Sequence, residues 1–339
     1  MAVKAKSDDY KRLADSLSAG EIDRFYIFHG EERYLLERSL GELRRLLCPD
    51  GLDGFNYKRF EVKDLPASEL EEAIDSLPVF ADRTLVEIHD FDIFKNDERP
   101  RLAEIFANLP DYICVVIIFD IIPYKPDRIK LNNDITKHAD VIEFAIQEQD
   151  KLIKWIKRHF NNAGKSIGTA DAEYMAFITG GSMTALHGEI GKTAAYAAGQ
   201  SISRSEIDAV VTPVADAVAY KLTDALIKHE SKNAMRILDE LLGMQEPAHR
   251  LMYSISLKIR QLLAARVCAE GNHDKSALME MCGIRHEFQA RILMETARRT
   301  TLSSCREAVL SCAETAYELN SAPEPEARLT ELIAKLALI

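Results

Sequence analysis

The sequence has 339 residues, 47% of them hydrophobic and 29% charged, with a net charge of −11. A chain of this length buries about three quarters of its extended surface and outgrows a single core, so intrinsic disorder is excluded and two or three domains are expected. Its longest apolar run, Ile113 to Phe119, is far shorter than the roughly 20 residues that cross a bilayer. The start MAVKAKSDDY lacks the apolar core of a secretory signal, which points to the cytoplasm.

Residues 1–145 alternate strand-like and helix-like patterns. Strands are predicted at Phe25–Gly30, Tyr57–Val62, Thr84–Phe91, Tyr112–Asp120 and Asp140–Ala145. The fourth is continuously apolar, as a strand covered on both faces should be. Between the first two, Leu35, Leu36, Leu40, Leu43, Leu46 and Leu47 fall on one broad helical face. Strands alternating with helices predict a parallel, three-layer α/β sheet. After Ala145 the strand patterns stop. Residues 146–212 read as a small helical unit broken at Asn161–Gly164 and Gly180–Gly181. From 213 to 339 helical stripes follow one another, beginning with Ala215, Val218, Ala219, Leu222, Ala225 and Leu226, and predict a helical bundle.

The charge is unevenly spread. Residues 1–145 hold 20 basic and 30 acidic side chains, residues 146–212 seven of each, and residues 213–339 hold 16 and 17. An autonomous nucleic-acid binder normally shows a basic stripe, so contact with nucleic acid is expected only in company with partners. The six cysteines show no C-x-x-C spacing, which speaks against a zinc ribbon or a redox pair and for reduced, mostly buried thiols. Cys305 and Cys312 sit two helical turns apart and read as one packed face.

An α/β domain followed by helices invites a search for a phosphate loop. The loop after the first strand is GEERYLLE from Gly30, with Glu31 and Glu32 where polyphosphate would need backbone amides and a lysine. Two G-K-S/T triplets lie elsewhere, at Gly164–Ser166 and Gly191–Thr193, but His159 and Leu186 stand where the first glycine is required. Neither follows a predicted strand, and both read as chance. No G-x-S-x-G elbow or H-E-x-x-H pair occurs. The acids in EIHDFD and VVIIFDI read as ordinary strand ends, because without a phosphate loop a metal there would have nothing to bridge. Lys151, Lys154, Lys157 and Arg158 surround Trp155 on a local basic helix; a solvated face with Trp155 inward is the ordinary reading and a phosphate-contacting face the sharper one. In DSLPVFADRTLV, Pro78 interrupts a helical pattern and Leu77, Val79 and Phe80 precede a charged turn. The residues alone favour a core plug over an exposed hydrophobic anchor.

These segments, in this order, are familiar. GEERYLLERSL resembles the G-E-E-x-[aromatic/Leu]-L opening of bacterial DNA polymerase III delta subunits, and SLPVFADRTLV (residues 76–86) resembles their S-L-P-L-F-x-x-R-x-L-V segment. LHGEIGKTAAYAAG (186–199) is similar to their L-x-x-E-L-x-K-L-x-x-Y-A-G helix, and residues 225–266 to their stretch of A-L-x-x-x-L-L-x-x-G-x-E-P followed by a long helix. The resemblance runs from about Phe25 to Leu338.

The resemblance implies an α/β N-terminal domain over 1–145, an AAA+-like parallel sheet without a phosphate loop. It further implies a small lid-like helical domain over 146–212 and an all-α collar domain over 213–339. It implies a clamp-loader subunit that binds the beta sliding clamp and opens it for loading onto primed DNA during chromosomal replication. Such a subunit has no ATPase activity, cofactor or metal of its own, and works within the polymerase (nucleotidyltransferase) holoenzyme. Expected partners are the clamp, the gamma/tau and delta-prime subunits, and primed DNA in the assembled complex, with no membrane. Carried over by position, the clamp anchors are Val79 and Phe80 with Leu77 beside them, which reverses the core-plug preference. Lys154, Lys157 and Arg158 are candidate DNA-phosphate contacts. Val79 stands where leucine is usual, and ELNSAPEPEARL lacks the family's frequent Lys-Gly before the last helix. Two alternatives are a delta-prime-like structural subunit, whose cysteine cluster and S-R-C motif do not occur here, and an active AAA+ NTPase. A general adaptor with a helical bundle is the weakest alternative.

Overall fold

A computed structural model describes residues 9–48, 53–61, 65–126, 130–284 and 287–338. The chain forms two compact units divided between Gln147 and Glu148. In the first, the order is α1 (Asp9–Ser18), β1 (Phe25–His29), α2 (Arg33–Leu47), α3 (Asp53–Asn56), β2 (Tyr57–Glu61), α4 (Ala67–Asp75), β3 (Thr84–His89), α5 (Arg99–Ala107), β4 (Ile113–Phe119), α6 (Lys130–Thr136) and β5 (Asp140–Glu143). All five predicted strands form; Val62, given to the second strand by its pattern, lies outside the described residues.

The strands make one all-parallel sheet in the order β2-β3-β4-β1-β5. Side chains alternate across it. Phe25, Ile27, Val86, Ile88, Val115 and Ile117 share a buried core with Leu70 and Ile74 of α4, Leu102 and Phe106 of α5 and Ile135 of α6. The opposite face takes α2, whose buried residues are Leu35, Leu36, Ser39, Leu40, Leu43 and Leu47. β4 is buried along its whole length because both faces are covered. Helix α1 packs beside α2 and β5, with the Arg12 guanidinium on both Asp140 carboxylate oxygens at 2.8 and 2.7 Å.

A parallel sheet has two unlike edges. Every strand begins on one, where the chain turns at residues 19–24, 76–83 and 108–112. Every strand ends on the other, where it turns after His29, His89 and Phe119. The order places β1 beside β4 although β2 and β3 intervene in sequence, so the connections diverge at the C-terminal ends of these two neighbours. In open α/β sheets that is where a ligand crevice opens.

The second unit contains α7 (Gln149–Asn162), β6 (Ser166–Ile167), α8 (Thr169–Ile178), α9 (Met183–Tyr196), β7 (Ser201–Ile202) and α10 (Arg204–Val210). It continues with α11 (Ala215–Ile227), α12 (Ser231–Gly243), α13 (Ala248–Glu270), α14 (Lys275–Cys282), α15 (Glu287–Ala297), α16 (Leu302–Glu318) and α17 (Pro325–Leu336). The predicted end of strand structure at Ala145 is corrected by β6 and β7, which pair in parallel. Two residues per strand are too few for periodicity to register. Helices α11, α12, α13, α16 and α17 build one core from Leu222, Leu238, Leu251, Ile255, Cys312 and Ile333 among others. Cys48, Cys114, Cys268, Cys305 and Cys312 are buried, and Cys282 is half-buried.

A charge lies inside the first unit. Glu87 of β3 is fully buried, and Arg44 of α2 grips both its oxygens, Nε to Oε1 at 2.7 Å and Nη2 to Oε2 at 2.6 Å. The Tyr57 hydroxyl donates to Oε2 at 3.0 Å, and His89 Nε2 lies 3.4 Å from the same oxygen. Burial alone would raise the Glu87 carboxyl. The hydrogen bonds of His89 and Arg44, the Arg44 charge and the Tyr57 hydroxyl outweigh it and hold the carboxyl below the usual range. Glu87→Gln should cost about 2–3 kcal/mol at neutral pH, less than for a fully buried pair because Arg44 keeps 32% of its side chain in solvent. A depressed carboxyl stabilises above its unfolded pKa and ceases to do so as pH falls through its folded one. The difference between wild type and variant, measured by urea unfolding, should therefore be level from pH 6 to 8 and shrink below about pH 4. A gap that persists unchanged at pH 3 would show that packing, not charge, is what the substitution removes.

Candidate functional site

The loop joining α4 to β3 lies on the edge where strands begin. Helix α4 stops at Asp75, and Ser76, two residues before Pro78, is already extended. Three side chains tie the loop to its neighbours. Lys58 of β2 donates to the Ala73 carbonyl at 3.3 Å and to the Ser76 hydroxyl. Asn56 of α3 pairs with the Val79 backbone at 2.7 and 2.8 Å. Arg83 donates to the Ile22 carbonyl at 2.6 Å. Between these ties the apolar groups point outward. Phe80 is 90% exposed and Leu77 68% exposed, whereas Val79 is half-buried. Phe80 has a φ of +54°, a left-handed conformation that a bulky side chain rarely adopts. Neither Leu77 nor Phe80 plugs the core. Phe55, one residue before Asn56, is also 61% exposed, a third apolar group on this edge that the sequence pattern did not single out.

The opposite edge, where the crevice should open, is filled by the chain itself. Gly30 has a φ of +129°, and a Cβ there would lie 2.3 Å from the Phe144 carbonyl oxygen. The Glu32 amide donates to that same carbonyl at 2.9 Å. Glu32 turns inward, and its carboxylate accepts the Tyr34 amide at 3.3 Å, so the first turn of α2 is capped by a carboxylate of this chain. A helix start that would hold phosphate has its own anion instead. Arg33 pairs with Asp120 beyond β4. One oxygen of Asp90 accepts the amides of Asp120, Ile121 and Ile122 at 3.0, 2.7 and 3.1 Å, which folds the segment after β4 back over the sheet end. His29 stacks on Tyr124, ring centroids 4.2 Å apart. Glu31 is exposed, so of the two acids at this mouth only Glu32 enters the fold.

On α7, Trp155 is buried while Lys151, Lys154 and Arg158 are exposed along one face. Lys157 points elsewhere, donating to the Thr169 hydroxyl of α8 at 2.6 Å. The two G-K-S/T triplets have structural places. Gly164 turns the chain after α7 with φ +72°, and Lys165 donates to the carbonyls of Ala197 and Gly199, both at 2.7 Å. Gly191–Thr193 lies inside α9, with the Thr193 hydroxyl on the Glu189 carbonyl. Among the described residues, no group of three His, Cys, Asp or Glu could hold a metal ion, and no helix is long and apolar enough to cross a membrane.

Two family models match the chain. Residues 26–145 match that of the DNA polymerase III delta subunit, and residues 216–335 match that of the C-terminal domain of the same subunit. The chain belongs to the DNA polymerase III delta-subunit family. Among relatives, it is 21% identical to DNA polymerase III subunit delta of Bacillus subtilis, over 94% of this chain and 93% of that protein. It is 22% identical to the probable delta subunit of Aquifex aeolicus, over 78% and 77%. The solved DNA clamp loader delta protein of Bacillus subtilis has the same fold, with a TM-score of 0.60 at 19% identity, covering 97% of this chain and all of that one. The likeness to delta subunits thus runs through both units of the chain.

In this delta-family chain the residues of the S-L-P-V-F loop read as core by type, only the resemblance to delta subunits argued for their exposure, and the loop's ties left no signal. Asn56, Lys58 and Arg83 are ordinary surface residue types, and Asn before a strand reads as a turn. The filled crevice generates a test at Gly30. Gly30→Ala meets both the Phe144 backbone and an unfavourable φ, and should destabilise by at least about 3 kcal/mol in urea unfolding. A wild-type midpoint would mean that the crevice has room the close approach of Phe144 denies it.

Proposed function

We propose that this chain binds the beta sliding clamp through Leu77, Val79 and Phe80 and stabilises its open form for loading onto primed DNA. The observation that carries the reading is the exposure of Phe80 and Leu77 on a loop fixed at both ends and in the middle. Large apolar groups held in water on a braced loop are what an interface hot spot looks like before its partner arrives. Burying one such side chain in a pocket contributes about 1.5–3 kcal/mol. The smaller, half-buried Val79 contributes less. Opening follows if the chain binds the open ring more tightly than the closed one, since only that difference moves the ring's equilibrium.

In this reading ATP is hydrolysed by partner subunits, gamma/tau, and not by this chain. The Glu32 cap on α2 and the Arg33–Asp120 pair across the crevice support that division of labour. Residues 1–145 act as the clamp-binding domain, 146–212 as a lid-like helical domain and 213–339 as the collar that meets gamma/tau and delta-prime. Lys154 and Arg158, with Lys157 beside them, touch DNA phosphates only inside the assembled loader.

Binding of the purified chain to its cognate clamp should be submicromolar. Phe80→Ala should weaken it by about 2–4 kcal/mol, Leu77→Ala by somewhat less, and Val79→Ala by about 1 kcal/mol, each with wild-type unfolding curves. A folded Phe80→Ala variant that binds as tightly as wild type would move the contact elsewhere. In the assembled loader, Lys154→Ala/Arg158→Ala should reduce the slope of log affinity for primed DNA against log salt by about 2. An unchanged slope would remove this helix from the DNA path.

A further inference from the structure

Asn56 ends α3 with no exposed surface, although the loop it touches holds Leu77 and Phe80 out in solvent. Its amide spends both of its groups on one residue. Nδ2 donates to the Val79 carbonyl at 2.8 Å, and Oδ1 accepts the Val79 amide at 2.7 Å. Pairing the N–H and the C=O of a single residue is what a neighbouring strand would do; here one side chain does it. Only one orientation of the amide satisfies both bonds, because the reversed one sets donor against donor and acceptor against acceptor. The Asn56 backbone is itself held, its carbonyl receiving the Cys48 thiol at 3.5 Å, and Tyr57 next to it is tied to buried Glu87.

Phe80 follows Val79 directly and is held in the left-handed region. A free loop would leave that region and fold its aromatic group against the nearest apolar surface. We infer that Asn56 is a positioning residue for the clamp contact: by fixing Val79 it keeps Phe80 presented in the unbound chain, so that the loop has nothing left to order when the clamp arrives. The inference rests on the reading of Phe80 as a clamp anchor.

The test is a double-mutant cycle on clamp affinity with the full chain, using wild type, Asn56→Ala, Phe80→Ala and the double variant, beside hydrogen exchange of the loop. Asn56→Ala should weaken clamp binding about tenfold when Phe80 is present and less than about twofold when it is absent, since a positioning residue has nothing to position once the anchor is gone. Exchange at the Val79 amide should accelerate without any clamp in the sample. Asn56→Asp, which keeps an acceptor for the Val79 amide but sets an oxygen against its carbonyl, should fall between wild type and Asn56→Ala in both readouts. It also serves if the alanine variant does not fold. Equal losses in the two backgrounds, or unchanged affinity of a folded Asn56→Ala variant while Phe80→Ala binds weakly, would overturn the positioning role alone. If Phe80→Ala binds as wild type does, the anchor reading fails and the positioning role with it.

Discussion

Gly30 meets the backbone of Phe144 with no space for even a methyl group between them, and the Glu32 amide bonds the same carbonyl. That close approach brings the end of β5 across the mouth of the loop after β1. It commits the α2 start to a carboxylate cap and leaves Arg33 and Asp120 to pair across the remaining gap. An α/β sheet of this order would ordinarily do its work at this edge. With the edge occupied by its own backbone and its own charges, the sheet presents chemistry of another kind at the far edge. There the loops are short and braced, and three apolar side chains, Phe55, Leu77 and Phe80, face water.

The braces explain how such a surface can persist. An exposed phenylalanine on a slack loop would collapse onto nearby apolar area, since contact with water is what the hydrophobic effect opposes. Each brace here acts on backbone or on a helix end and does not bury the anchors. Lys58 holds the close of α4, Asn56 the middle of the loop and Arg83 its return. Two of the three come from the α3–β2 segment, which is in turn held to the interior through Tyr57 and Glu87. A buried carboxylate inside the sheet thus supports the geometry of a surface loop several residues away.

The sheet was readable because apolar runs such as Ile113–Phe119 and the leucines of α2 carry strong periodicity, and long stripes such as Leu251 to Leu262 do the same for the bundle. What escaped was of three kinds. The pair β6 and β7 is too brief to leave a pattern. The buried polar groups Glu87 and Asn56 depend on partners distant in sequence, Arg44 and Val79, that no local window can connect. Exposure was the third difficulty: Leu77, Val79 and Phe80 look like core by type, and only order along the chain, through the likeness to delta subunits, argued otherwise. Within that trio the accessible groups are Leu77 and Phe80, because Asn56 draws the Val79 backbone toward the body of the domain.

The position of the loop has a mechanical consequence. It runs directly into β3, which lies between β2 and β4 with parallel ladders on both sides. A pull on Phe80 directed along the strand enters at Thr84 and loads both ladders together, in shear, and does not peel them open one bond at a time. The first bond on that path, Thr84 amide to Tyr112 carbonyl at 2.8 Å, is already a cross-strand one. On the proposed reading, in which Phe80 anchors an open ring, the ring's tendency to close would therefore load the β3 ladders in shear.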